Sequence, residues 1–209
     1  MLDQLLTFFV VFLVVVEPVS VIPIFVALTE GASEAERRRT ARKGILVAAC
    51  ILFVFSLGGG PFLKLMNISL DAFRIFGGLL LFLIALEMVF ARTSGTRTSS
   101  SEEEEGRHRA DISVFPLAFP FIAGPGAMAT ILLAFGPAQG NWLLTLGLLA
   151  CVAVVLLIAL GTLYLAAPIM RVMGVTGANV LNRLFGVVLG ALAVQFVLDG
   201  LRGSFPQIA

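Results

Sequence analysis

Six apolar runs dominate this chain: Leu5 to Leu28, Gly44 to Leu65, Ala72 to Phe90, Ile112 to Phe135, Trp142 to Met170 and Val180 to Leu198. Each is close to or above the roughly 20 residues that a helix needs to cross the hydrocarbon of a bilayer. No water is present at that depth to satisfy a backbone N–H or C=O, so a spanning segment must be a helix or part of a closed barrel. Continuous runs of this length, without strand-like alternation, predict helices. The composition agrees, with 59% of the 209 residues hydrophobic and 13% charged. A soluble domain carries about 25% charge. The expectation is one all-α membrane domain over residues 1–209. Met1-Leu2-Asp3-Gln4 has no basic segment and no cleavage site, so the first run predicts a span and not a removed signal peptide.

Two of the runs are interrupted. The fourth opens Phe115-Pro116-Leu117-Ala118-Phe119-Pro120 and continues to Gly124-Pro125-Gly126. The first contains Glu17-Pro18 and, five residues on, Pro23. Proline removes a backbone donor and clashes with the preceding turn. In lipid such a break is tolerated only where protein or a polar cavity surrounds it. Paired breaks in corresponding spans point to a transport site. Pro18, Pro23, Pro116, Pro120 and Pro125 are therefore the predicted helix breaks. Re-entrant half-helices in place of spans one and four suit the same prolines.

The loops give an orientation. Arg37, Arg38, Arg39, Arg42 and Lys43 follow the first span, Arg92, Arg97, Arg107 and Arg109 follow the third, and Arg171 and Arg183 follow the fifth. The other side holds only Lys64, Arg74 and Arg202. Because basic loops stay in the cytoplasm, both termini are expected outside, which in a bacterial inner membrane is the periplasm. Residues 91–111 carry a Ser/Thr run and the block Glu102 to Glu105, which predict a mobile solvated linker.

The chain also repeats. Arg74-Ile75-Phe76-Gly77 returns as Arg183-Leu184-Phe185-Gly186, 109 residues later, and Pro18 corresponds to Pro125, 107 residues later. Residues 1–90 and 112–209 thus read as two three-helix halves. Each half crosses an odd number of times, so the second is expected to be inverted, with the binding site where the halves meet. Glu17 and Gly124 each lie twelve residues into their runs. At a helical rise that is roughly 18 Å, near the membrane centre from either side.

The stretches Glu17-Pro18 to Pro23-Ile24-Phe25, Arg74-Ile75-Phe76-Gly77-Gly78, Phe115-Pro116-Leu117-Ala118 to Gly124-Pro125-Gly126, and Ala193-Val194-Gln195-Phe196 before Asp199-Gly200 resemble the MarC family of integral membrane proteins. That family is uncharacterised and is grouped with the lysine-exporter superfamily. The resemblance covers nearly the whole chain and implies a six-span bacterial inner-membrane protein. Many members resemble Asp-Pro followed by Gly-Asn in the first span. Here Glu17 is the acid, and Ser20 and Val21 stand at the Gly and Asn positions.

Glu17 is the foremost candidate for function. A carboxylate near the bilayer centre costs about 2.5 to 3.5 kcal/mol. It must pair, face a cavity or be protonated, so it is either a proton or cation site or the structural partner of an arginine. Arg74 and Arg183 open the third helix of each half and predict either an anion clamp or snorkelling to headgroups. Asn182, with Asn179, is expected near a helix start, where it could cap. Gly124 and Gly126 offer backbone N–H groups if a half-helix begins there, or close packing. Gly186 and Gly190 form a packing Gly-xxx-Gly. Cys50 and Cys151 read as small buried hydrophobes, and His108, alone in a charged loop, gives no metal site.

No constellation for catalysis, cofactor or nucleic-acid binding is present, and an enzyme is disfavoured. The expected function is transport of a small polar or anionic solute around the paired breaks, with Glu17, Ser20, Arg74, Gly124, Gly126, Asn182 and Arg183 as site residues. The alternatives are a flippase for a phosphate-bearing lipid and a non-transport membrane scaffold. Membrane lipids and an unknown solute or headgroup are the expected partners.

Overall fold

The computed structural model describes residues 1–90, 112–138 and 140–205. The predicted linker over 91–111, with His108, lies outside the described residues. Eight helical segments follow in order: α1 Leu2–Val16, α2 Val21–Leu28, α3 Glu34–Leu65, α4 Leu70–Phe90, α5 Ser113–Ile122, α6 Pro125–Phe135, α7 Trp142–Tyr164 and α8 Ala166–Ser204. Among the described residues there is no strand. Four helices are long and apolar enough to cross a membrane, and each of the bent pairs α1–α2 and α5–α6 adds one more if read as one span. The bends are 42° and 55°. Angles of that size leave the two pieces of each pair running in one general direction, whereas a re-entrant hairpin reverses.

Several boundaries depart from the sequence reading, each for a local reason. Helix α3 begins ten residues before Gly44, because Ser33 starts a capping box there. The Ser33 hydroxyl accepts from the Glu36 N–H at 3.3 Å, and the Glu36 carboxylate accepts from the Ser33 N–H at 2.8 Å. The Ser33 hydroxyl, and after it the Ser33 N–H, hold the Glu36 carboxyl below its ordinary pKa. Helix α7 stops at Tyr164 rather than Met170, and the chain turns at Leu165. Helix α8 then breaks at Gly174, whose φ of 65° favours glycine, and its long piece runs Thr176–Ser204. Pro23 does not break a helix. It lies in the first turn of α2, where its missing N–H costs no intrahelical bond. A proline outside the predicted breaks, Pro61, sits inside α3.

Segment α5 is not a regular helix. Phe115 and Phe119, each preceding a proline, are extended at φ −131° and −126°, as the residue before proline prefers. Both Phe-Pro bonds are cis. The backbone bonds that close this segment span five residues, from Leu117 N to Ile112 O at 3.3 Å and from Ala123 N to Ala118 O at 2.8 Å. Wide turns of this kind recur at functional sites.

Lipid tails are as apolar as leucine, so helices in a membrane associate through close packing at small residues. The α4–α8 pair shows this directly. A Cβ on Gly78 would stand 2.8 Å from the Ala193 carbonyl oxygen, one on Gly186 3.1 Å from the Ala85 carbonyl oxygen, and one on Gly200 2.9 Å from the Asp71 carbonyl oxygen. The contact positions fall along α4 as they rise along α8, so the two helices run antiparallel. The packing role of Gly186 and Gly190 read from the sequence therefore holds. Around this pair sits a core that includes Phe8, Phe12, Phe25, Leu52, Leu81, Leu117 and Ile131, with Phe8 and Phe12 stacked at 5.3 Å. Large apolar side chains such as Leu46, Phe53, Val54, Leu79 and Val187 point outward, which suits a lipid-facing belt. Cys50 is on that exposed side, so it is not the buried hydrophobe expected; Cys151 is half-buried.

Gly78→Ala should lower thermal stability in detergent by about 1–3 kcal/mol, because its new methyl meets backbone atoms of α8 and α8 must move away. Gly58→Ala in α3 meets nothing within 4 Å and should leave the melting temperature unchanged or raise it.

Candidate functional site

The first break is built by Glu17. Helix α1 ends there in the left-handed conformation, φ 48° and ψ 62°, with the Glu17 N–H donating to the Leu13 carbonyl at 3.0 Å. This is a one-bond αL cap. The carbonyl of Leu13 therefore keeps its donor, and the donor that Pro18 lacks is the one for Val14. A non-glycine residue in this region is uncommon and costs on the order of 1–3 kcal/mol where the surroundings impose it. Glu17 is 3% exposed, so it faces protein and not lipid. Its Oε1 accepts no hydrogen bond, although Glu17 is not without interactions.

Two neighbours hold the rest of the break. Ser20 Oγ donates to Asn182 Oδ1 at 2.9 Å, joining the start of α2 to α8. Thr162 Oγ of α7 lies 3.5 Å from the Pro18 carbonyl oxygen, its shorter bond being to Ala159 at 2.8 Å. Asn182 thus lies inside α8 and caps nothing, which corrects the capping expectation. The helix starts earlier, at Thr176, and frees the amide for Ser20.

The second break is the turn at Gly124. Gly124 is the N-cap of α6, and Pro125 takes the first helical position, where proline is favoured. The half-helix expected to begin near Gly126 is therefore present. A Cβ on Gly126 would stand 2.5 Å from Leu81 Cδ2 and 3.4 Å from Val15 Cγ1. Val15 lies two residues before Glu17, so the two breaks are brought together. Thr130, buried at 2% exposure, donates to the Gly126 carbonyl at 2.9 Å one turn further along.

A cavity of about 480 Å³ runs from the end of the molecule that carries Asp3 and Asp199 down to Thr130. Asp3, Gln4, Thr7, Arg74, Thr130 and Asp199 supply its polar lining, and Phe8, Leu133, Leu148 and Phe196 part of the apolar wall. Arg74 Nη1 lies 3.4 Å from Asp71 Oδ1. Asp199 accepts from Gln195 at 2.8 Å and lies 3.9 Å from Arg202. Arg74 and Arg183 are not brought together. The antiparallel α4–α8 contact places Arg74 near Gly200, whereas Arg183 is exposed beyond Gly186, at the Phe90 end of α4.

Of the predicted residues, the fold thus joins Ser20 with Asn182 and brings Gly126 close to the end of α1. It puts Arg74 in the cavity and leaves Arg183 outside. Sequence reasoning missed Thr130 and Thr162. Their signal was a hydroxyl inside an otherwise apolar run, Thr130 four residues after Gly126. Among the described residues no group of acids, histidines and cysteines is placed to hold a metal ion.

Antiparallel apolar helices packed on glycines, two of the predicted spans broken and a carboxylate enclosed at one break define a polytopic α-helical integral membrane protein. The sequence profile described as MarC family integral membrane protein matches residues 2–205, and the chain belongs to that family. It is 34% identical over 201 residues to the UPF0056 membrane protein YhcE of Escherichia coli, covering 96% of this chain and 93% of the relative. It is 36% identical over 201 residues to YvbG of Bacillus subtilis, covering 96% and 95%. With MJ1677 of Methanocaldococcus jannaschii it shares 35% over 194 residues, covering 91% and 92%. No solved structure matches the chain significantly.

Proposed function

We propose that this protein is a secondary transporter of a small polar or anionic solute, and that it works by alternating access around the two helix breaks with Glu17 as a protonatable group. The observation that carries the reading is the buried Glu17 carboxylate, held in a left-handed conformation at a break between helices. A charge at this depth is costly to insert, and local strain of this kind clusters at functional positions. The cavity that ends at Thr130, one turn from Gly126, provides an approach from one face. Arg74, in the lining, gives that approach donors for an anionic group.

The two halves act as inverted repeats in this reading, and the packing supports it, because the most extensive contacts between elements come in mates. α1 packs on α7 as α5 packs on α3, α2 on α8 as α6 on α4, and α1 on α6 as α5 on α2. The α4–α8 and α3–α7 contacts are each their own mate. Rocking of one half against the other then exposes the breaks alternately to either side. The cavity argues against a scaffold with a dry interior. It also favours a solute over a flipped lipid, since the lipid-facing groove between α3 and α7, around Cys50, Phe53 and Leu156, is lined by residues of neither break.

The basic start of α3 faces the cytoplasm in this arrangement, with both termini outside. A periplasm-active reporter fused after Ala209 should give signal, and one fused near Ser100 none; the reverse pattern overturns the orientation. Transport itself is tested in everted vesicles with an imposed pH gradient. A panel of small polar and anionic solutes should include at least one that moves protons only when the protein is present, and a panel with none contradicts the reading.

A further inference from the structure

A second cavity, of about 400 Å³, lies at the opposite face of the molecule, between the end of α2, the first turns of α3 and the α7–α8 turn. Its wall is apolar, with Phe25, Leu163 and Pro168, and its rim carries Thr29, Arg37, Arg38 and Tyr164, with Glu34 beside them. Arg37 is half-buried, and its Nε donates to the Thr29 carbonyl at 3.2 Å. That bond anchors the guanidinium through its Nε. Arg38 lies over the Tyr164 ring, 5.7 Å from its centroid, and pairs with Glu34. Both members of that pair are more than half exposed, and ion pairs of this kind contribute little net stability, so Arg38 can exchange Glu34 for a stronger anion.

The surroundings favour such an anion. Arg39, Arg42 and Lys43 continue the basic run toward the membrane, and Glu36 is turned back to Ser33. Basic pockets between helices at a membrane surface recognise lipid headgroups, and the planar fork of arginine matches the oxygens of a phosphate. The apolar floor under the arginines suits the glycerol and first methylenes of a lipid and adds nothing for a free ion.

We propose that this cavity binds a phosphate-bearing anion at the membrane surface, as the headgroup of an anionic phospholipid held by Arg37 and Arg38. None of its lining residues belongs to either break, so the site stands whether or not the breaks transport anything.

The test is thermal unfolding of the purified full chain in neutral detergent, titrated with short-chain phosphatidylglycerol, with phosphatidylcholine and with inorganic phosphate. Phosphatidylglycerol should raise the melting temperature saturably, and phosphatidylcholine should not. Arg37→Gln with Arg38→Gln should move the half-saturating concentration at least about ten-fold, whereas Arg39→Gln with Arg42→Gln, outside the cavity, should move it far less. Each variant is compared with its own lipid-free melting temperature, so a lower baseline does not disturb the reading. If the double variant yields no folded protein, Arg38→Gln alone, with its exposed side chain, carries the same readout. Inorganic phosphate acting as well as the lipid would keep the anion site and assign it to the free ion. Equal effects of the two lipids, or unchanged titrations in the Arg37 and Arg38 variants, would overturn the proposal.

Discussion

Gly124→Ala should destabilise the protein more than any other single methyl addition at the breaks, by about 3 kcal/mol, the upper end of what overpacking costs. Gly124 has φ −74° and ψ 171°, a conformation open to any residue, so backbone freedom is not the reason. The reason is proximity. A Cβ at this position would stand 2.3 Å from the carbonyl oxygen of Pro120. That atom belongs to the backbone of α5, between two prolines that restrict its movement, and it cannot swing aside as a side-chain tip can. The turn joining α5 to α6 must open, and with it the contact of Gly126 with Val15 and Leu81. Thermal unfolding in detergent measures the effect. Gly161→Ala in α7 is the control, since nothing lies within 4 Å of its added Cβ and replacing a helical glycine favours the helix by about 0.5–1 kcal/mol. Equal melting temperatures for the two variants would show that the α5–α6 turn is not held as described.

Glu17→Gln should separate folding from function. Glutamine keeps the length of the side chain and its capacity to accept hydrogen bonds, while removing the ionisable group. A buried carboxylate burdens stability at this depth by about 2.5–3.5 kcal/mol when charged, so the variant should unfold at the same temperature as the parent or higher. Solute-dependent proton movement in vesicles should fall to the level of membranes lacking the protein. Glu17→Asp keeps a titrating group with a shorter reach and should retain part of the flux. A glutamine variant that still moves protons with solute would remove Glu17 from the mechanism. One that fails to fold would give Glu17 a structural role, because the cap at the Leu13 carbonyl uses only its backbone.

Much of the architecture was legible in the residues because the bilayer narrows the choices so far. A run such as Trp142 to Tyr164 has no structure open to it except a helix once water is excluded. The breaks at Pro18 and Gly124 were legible for the same reason, since missing donors and fixed φ angles are properties of the residue. Pro23 was misread because a proline's effect depends on where the helix starts, and the start of α2 at Val21 is set by the turn before it. The early start of α3 was missed because the apolar pattern reports the membrane and not the helix; the capping box at Ser33 and Glu36 extends the helix into water.

The site was legible only in part. Glu17 announced itself as an acid in an apolar run, and its burial agrees. The bond between Ser20 and Asn182 joins residues 162 apart in sequence, and nothing local in either segment specifies it. Arg74 and Arg183 looked equivalent because they share a four-residue motif, yet the chain around them differs. Asp71 stands three residues before Arg74, and Val180 stands at the corresponding distance before Arg183. The Asp71 carboxylate lies 3.4 Å from Arg74 at the cavity, whereas an apolar residue holds the matching place before Arg183, which is exposed.

The central claim is that the break at Glu17 and Ser20 is reached from both sides of the membrane in turn. Ser20→Cys in a chain whose Cys50 and Cys151 are replaced by alanine tests it most directly, using a maleimide that cannot cross membranes. The account predicts labelling from the outside in intact cells and from the cytoplasmic side in everted vesicles, each slowed by a transported solute. Labelling from one side only, or from neither, would contradict it.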